Sequence, residues 1–252
     1  HGALYLDGKF TLLDDPAAGT AAGQGTSPIT PKDTGDDTHV LRNTTVIGWY
    51  IDSSNRYHGF VYRAGKFVNF EDPHAGKLGF QGTVAYDMTS NGTIVGQYFD
   101  AAQVTHGFLD HDGHFTTVDN PSAGTAFGQG TALDGGNAND TLVGTYTDSA
   151  NVIHGFTLHN GTYTTLNDPS AATGAGQGTF TFESNRSGLI VGFYTDNSNF
   201  SHGITYKGGV FTTLDDPNGP LGTTAQGVND AGRIVGDYHD SSNFGHGYIY
   251  TP

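Results

Sequence analysis

A histidine followed by glycine recurs along the chain at a regular spacing. His58, His106, His154 and His202 each open such a pair, in steps of 48 residues, and His246 opens a later one. Imidazole is the commonest metal ligand in proteins, so a repeated histidine could mark a metal site. However, equivalent positions of a repeat usually serve the stacking of one unit on the next. We therefore predict a structural role, with each imidazole hydrogen-bonded to a nearby backbone carbonyl or loop.

Three acidic residues are candidates for catalysis. We expect one strand of each repeat to lie nearest the centre of the fold, and these strands include Asp87, Asp134 and Glu183. Two carboxylates that flank a glycosidic bond can act as general acid and as base or nucleophile. Against this interpretation, acidic residues at variable positions are usually solvated. Catalysis is therefore the alternative to a binding function.

Two positions differ from one repeat to the next. In proteins built from repeats, binding residues are expected at the positions that vary. The first lies inside the Gly-x-Tyr strand, and the second lies on the predicted inner strand. We predict that the binding residues are Trp49, Tyr86, Gln97, Phe182, Phe193, Gln226 and Asp237. Aromatic faces with carboxylate and amide groups suit a sugar, so carbohydrate is the expected ligand.

Other acidic residues suggest turns more strongly than metal sites. One Asp ends each Gly-x-Tyr-x-Asp strand, and these are Asp52, Asp100, Asp148, Asp196 and Asp240. Asp in this setting typically caps a turn through its side chain. Calcium is a weaker alternative, since it needs six to eight oxygen ligands. No cofactor is expected.

Each repeat divides into four short strands without any helical periodicity. Asp7-Gly8, Asp112-Gly113 and Asn160-Gly161 are typical of tight hairpin turns. Four strands in a unit of just over forty residues predict a β-propeller. We therefore expect an all-β, five-bladed propeller of four-stranded antiparallel blades. It forms a single domain over residues 1–252, with repeats that start near residues 1, 58, 106, 154 and 202.

The two chain ends are expected to close the ring. The Gly-x-Tyr strand occurs five times, but the His-Gly strand occurs six times. We predict that residues 246–250 form the third strand of the closing blade and that "KFTLLDD" forms its outer strand. Residues 1–6 are then surplus. The alternative is a truncated larger ring.

Composition excludes several partners. The formal charge is −15 with only ten Lys and Arg, so a row of phosphates could not be neutralised. We expect no nucleic-acid partner and no membrane insertion. The chain has no Cys, which excludes thiolate chemistry. An acidic chain poor in Lys fits a secreted monomer.

The repeat "HGFxxxxGxFTTxDDPxAGT…GxIVGxYxD" resembles the extracellular HAF-type repeats of bacterial secreted proteins. The resemblance covers essentially the whole chain, and it implies a propeller and export. It implies little about activity. Departures are the absence of "GQG" from the fifth unit and the insertion "SPITPKDTGDDTHVLR". The insertion could form a polar lip through Asp33, Asp36, Asp37, His39 and Arg42.

The function that these patterns favour is noncatalytic binding of a glycan by a secreted propeller. Several weak sites on similar blades would gain strength through multivalency. The alternatives are a polysaccharide-cleaving hydrolase or lyase and a structural or protein-interaction scaffold.

Overall fold

The structure is a computed structural model, and it describes residues 1–6, 9–29, 45–89, 91–137 and 139–252. Its regular elements are all strands, as predicted: β1 (Gly2–Leu6), β2 (Lys9–Leu13), β3 (Gly25–Ile29), β4 (Val46–Ile51), β5 (Tyr57–Arg63), β6 (Lys66–Phe70), β7 (Gly82–Met88), β8 (Ile94–Phe99), β9 (Thr105–His111), β10 (His114–Val118), β11 (Gly130–Gly136), β12 (Thr141–Thr147), β13 (Ile153–His159), β14 (Thr162–Leu166), β15 (Thr179–Ser184), β16 (Ile190–Thr195), β17 (Ser201–Lys207), β18 (Val210–Thr213), β19 (Thr223–Val228), β20 (Ile234–His239) and β21 (Gly245–Tyr250). Within these ranges, no helix is long and apolar enough to cross a membrane.

The chain forms two compact units. The first comprises residues 1–118 and 126–128, and the second comprises residues 119–125 and 129–252. The first unit contains the N-terminal hairpin β1–β2, repeat I (β3–β6) and repeat II (β7–β10). The second contains repeat III (β11–β14), repeat IV (β15–β18) and the three-stranded repeat V (β19–β21).

Within each repeat, successive strands pair antiparallel, as the hairpin signals predict. Asp112 and Gly113 have φ of 52° and 81°, and Asn160 and Gly161 have φ of 50° and 74°. Both residues of a two-residue hairpin turn must adopt this left-handed conformation, which Asp, Asn and Gly tolerate best. The predicted Asp7-Gly8 turn lies outside the described residues.

The core forms where a strand of one repeat faces the inner strand of the next. Ile47 of β4 shares a buried cluster with Ala85 of β7, and Val191 of β16 shares one with Ala225 of β19. Alternate residues of a strand point to the same face. Consequently the Ile47 face of repeat I is directed at repeat II, and the Val191 face of repeat IV is directed at repeat V.

Loops and turns connect neighbouring repeats through side-chain amides. The Gln129 Nε2 atom donates to Asn151 Oδ1 at 3.0 Å, and Gln177 Nε2 donates to Asn199 Oδ1 at 2.6 Å. These bonds give a structural reason for the Gly-Gln-Gly motif. The Asn185 side chain acts similarly, because its Nδ2 atom donates to Asn229 O at 3.0 Å.

The chain ends differ from the expectation. Strand β2 was predicted to pair with β21, but it pairs with β1 in a local hairpin, and β21 is an edge strand. Pairing of strands adjacent in sequence closes the shortest loop, which explains the preference. Residues 1–6 are therefore a paired strand rather than surplus. Val235 of repeat V is 48% exposed, whereas the equivalent Val191 is fully buried.

Candidate functional site

The repeated histidines are clamped by their own repeats. The His58 ring stacks on Tyr50 with centroids 4.7 Å apart, and its Nε2 atom lies 3.0 Å from Asp52 Oδ2. The other repeats show the same stack in the pairs Tyr98–His106, Tyr146–His154, Tyr194–His202 and Tyr238–His246. Each of the five stacks joins the second strand of a repeat to its third strand, so the histidines serve packing within the repeat.

The histidine partners are side chains that follow the strand ends, so of the two predicted partners, a backbone carbonyl or a loop, the structure shows the loop. His58 Nδ1 contacts Glu71, and His202 Nδ1 lies 2.9 Å from Asp215 Oδ2. In repeat III the corresponding partner of His154 is the Asn167 amide oxygen, also at 2.9 Å. Carboxylates are favoured there because they accept a hydrogen bond from either ring nitrogen. Among the described residues, no group of three His, Cys, Asp or Glu side chains is arranged to hold a metal ion.

The Asp residues that end the Gly-x-Tyr-x-Asp strands cap turns, which confirms the prediction. Asp196 Oδ1 accepts hydrogen bonds from the backbone amides of Ser198 and Phe200 at 2.8 and 2.9 Å. The Phe200 amide, then the Ser198 amide and His202, hold the pKa of Asp196 below its usual value. These carboxylates therefore stabilise the loops, and their lone pairs are already engaged.

The two variable positions come together in each of repeats II to V. Tyr86 OH accepts from Gln97 Nε2 at 3.1 Å in repeat II. The Phe182 and Phe193 ring centroids are 5.6 Å apart in repeat IV. The remaining contacts are Thr145–Asp134 in repeat III and Gln226–Asp237 in repeat V. The chemistry differs in every repeat, so the sites are not equivalent.

An aromatic cluster lies between repeats I and II. The Trp49 and Tyr57 ring centroids are 5.6 Å apart in an edge-to-face contact, and Tyr57 and Phe99 are also 5.6 Å apart. Trp49 lies on the same strand face as Ile47, which is directed at repeat II. All three residues are partly exposed. We call this cluster the aromatic crevice.

Sequence reasoning found only Trp49 of the aromatic crevice. Tyr57 immediately precedes a His-Gly pair, where the other repeats have Thr105, Ile153, Ser201 and Gly245. This variation was a usable signal, since an aromatic residue occurs there once.

A second aromatic cluster occurs in repeat IV. Phe180 and Phe193 are opposite each other in the β-ladder, and their rings stack at 4.2 Å. They lie on the face that includes Val191, directed at repeat V. Phe180 was missed because it was not compared with the other repeats, which have Val84 and Thr224 there.

The candidate catalytic carboxylates make separate structural contacts. Asp87 is buried, and its Oδ1 atom accepts from the Met88 amide at 2.7 Å. Glu183 Oε2 accepts from the Val228 amide at 3.1 Å. These two groups are engaged by backbone amides, unlike a free acid and base.

The pKa of Asp134 lies in the neutral range. Burial of its carboxyl group raises the pKa to about 7, although hydrogen bonds from the Thr145 hydroxyl and amide oppose the shift. The Thr145 Oγ1 atom lies 3.4 Å from Asp134 Oδ2. The protonation of Asp134 therefore changes near neutral pH.

The polar lip predicted from Asp33, Asp36, Asp37, His39 and Arg42 lies outside the described residues.

Comparisons with known proteins identify the fold. No family model and no curated protein matches the chain. The six-bladed β-propeller lectin of Aleuria aurantia matches with a TM-score of 0.52 and 15% identity, over 90% of this chain and 74% of the lectin. A variant of that lectin in complex with alpha-methyl-L-fucoside gives 0.52 and 14%, with the same coverage. AofleA from Arthrobotrys oligospora gives 0.54 and 9%, over 96% and 72%. At these identities the similarity shows the β-propeller fold and leaves function to the site.

Proposed function

We propose that the protein is a noncatalytic carbohydrate-binding module. The aromatic crevice carries the proposal: Trp49, Tyr57 and Phe99 present partly exposed rings between two repeats of a propeller. A pyranose presents an apolar face of C–H groups, and an aromatic ring can cover it with little loss of conformational entropy. The fucoside complex of a similarly folded lectin supports the choice of ligand class.

Polar groups beside the rings would fix the orientation of a sugar. Ser27 is directly opposite Trp49 in the β-ladder and is partly exposed. Polar groups beside an apolar floor are typical of small-ligand sites. Hydroxyl and aromatic groups together favour a neutral glycan.

The other predicted binding residues extend the proposal to further sites. Phe182 and Phe193 would offer an aromatic face in repeat IV, while Tyr86 with Gln97 and Gln226 with Asp237 would offer polar ones. Because the chemistry differs among repeats, these sites would differ in affinity.

The same proposal includes the architecture and location expected from the sequence. Five copies of the first and second strands favour a five-bladed propeller. Secretion, a monomeric state and membership of the HAF-type repeats are part of this proposal and rest on sequence.

The decisive experiment uses the fluorescence of Trp49, which is the only Trp in the chain. The purified protein is titrated with neutral mono- and oligosaccharides, and binding is measured in parallel by calorimetry. We expect a saturable change in fluorescence. Replacing Tyr57 with Leu should weaken binding by about tenfold, since it removes a ring contact.

Phe127→Ala is the matched control, because Phe127 is a highly exposed aromatic residue outside the crevice. Its affinity should equal that of the wild type. The same mixtures are analysed for new reducing ends. New ends would identify a polysaccharide-cleaving enzyme, and the absence of both binding and cleavage would favour the scaffold function.

A further inference from the structure

One loop of repeat II has a bulky residue where repeats I, III and IV have glycine. The residue before the motif glutamine has φ of 81° at Gly23, 76° at Gly128 and 76° at Gly176. In repeat II this residue is Phe80, with φ of 64°. A bulky side chain in the left-handed region is an outlier that costs about 1–2 kcal/mol.

The loop is held in this conformation by specific contacts. The Phe80 amide donates to Asn55 O at 2.7 Å. The preceding Gly79 packs against the backbone, since a Cβ atom there would lie 2.9 Å from Ser54 O. Glycine is therefore favoured at position 79, and the bond from the Phe80 amide to Asn55 O belongs to the conformation in which Phe80 has positive φ.

Burial does not compensate for the strain. Phe80 is 62% exposed, and Leu78 two residues earlier is 71% exposed. A core role would bury these side chains and would repay the backbone cost. Instead the loop presents two apolar side chains to solvent in a fixed conformation. Strain of this kind is often retained where it serves binding.

The backbone that follows the exposed pair is bonded to the aromatic crevice. The Tyr57 amide donates to Gln81 O at 2.8 Å, and Tyr57 pairs with Gly82 in a parallel bridge. Thus Gln81, which follows Phe80, accepts a hydrogen bond from Tyr57, whose ring contacts Trp49. A ligand that extends from the crevice toward this loop would meet Leu78 and Phe80.

We propose that Leu78 and Phe80 form a second saccharide subsite, so that the aromatic crevice and this loop together bind an oligosaccharide. The inference rests on the proposed carbohydrate-binding function. Two apolar side chains are far too small for a protein interface, which buries about 800 Å² on each partner. They match the C–H face of one further pyranose. The partner is therefore the next sugar of a neutral glycan.

The test replaces Phe80 with Gly, which is the residue of repeats I, III and IV. The variant should fold at least as stably, because the left-handed conformation costs glycine nothing. Affinity for a monosaccharide should be unchanged, whereas affinity for a matching di- or trisaccharide should fall by about five- to tenfold. Trp49 fluorescence and calorimetry provide the readouts. Phe127→Ala, in the equivalent loop before repeat III, should change neither affinity.

Each other outcome contradicts the inference in a distinguishable way. Equal oligosaccharide affinity in wild type and Phe80→Gly removes the subsite and leaves the proposed function intact. Loss of monosaccharide affinity in Phe80→Gly places Phe80 in the primary site instead. If the wild type binds no saccharide, both the proposed function and the subsite are wrong. Should Phe80→Gly aggregate, Phe80→Asn gives the same comparison, since Asn tolerates positive φ.

Discussion

Replacing Asp134 with Asn should stabilise the protein at alkaline pH and leave its stability at acidic pH almost unchanged. Burial raises the Asp134 pKa from 3.8 to about 7. Between these values the folded state keeps a proton that the unfolded state releases, so the free energy of unfolding decreases as pH rises. Each pH unit is equivalent to 1.36 kcal/mol, which gives about 4 kcal/mol across the whole interval. Asn is isosteric with the protonated acid and does not titrate.

The assay is urea-induced unfolding, followed by circular dichroism at several pH values from 4 to 8. The difference between variant and wild type should be near zero at pH 4, increase toward pH 7 and stay constant above it. Taking the difference cancels the titration of the other carboxylates. Asp112→Asn is the control for a carboxylate that lies in solvent, because this side chain is 92% exposed. A pH-independent difference for Asp134→Asn would refute the reasoning.

Two further predictions concern the contacts between and within repeats. Asn185→Ala should destabilise the protein by about 2–4 kcal/mol, because it leaves Asn229 O and the Leu189 amide without their bonds, and chemical denaturation at two pH values should show the same loss. Asp148→Asn should make the free energy of unfolding depend less on pH in the acid range. Although burial opposes the effect, hydrogen bonds from backbone amides and from His154 lower the Asp148 pKa. The charged carboxylate therefore stabilises the folded protein above the ordinary pKa of Asp, and this stabilisation is lost as pH falls through the lowered pKa. If circular dichroism shows the same acid-unfolding slope in both proteins, the lowered pKa is wrong.

The repeat pattern predicted the strands and turns because these depend on local sequence. Asp112-Gly113 and Asn160-Gly161 determine hairpins through their own backbone preferences, and the structure confirms both turns. The pairing of the terminal strands was not predictable in this way. A His-Gly pair stands at the start of β1, as His1-Gly2, and another lies within β21, as His246-Gly247, so the sequence offers two candidates for one place.

The candidate site was only partly predictable. Variation among repeats identified Trp49 and Phe193, and both lie on strand faces directed at the next repeat. Contacts across the fold were not visible in the sequence. Phe99 reaches Tyr57 from the following repeat, and the pKa of Asp134 depends on burial by residues that the alignment does not identify.

In each repeat some residues maintain the strand geometry and others vary, which explains why similar repeats can carry different sites. The Tyr–His stack and the Asp-capped turn recur in every repeat and maintain the strand geometry. With that geometry fixed by the recurring residues, the pair of variable residues can differ among repeats. The pair is aromatic in repeat IV, but it is an acid and a threonine in repeat III. Multivalent binding by several weak sites on similar blades, as the sequence suggested, would require similar chemistry in each repeat. The observed variation instead favours one or two aromatic sites of higher affinity, with the remaining repeats serving chiefly to complete the scaffold.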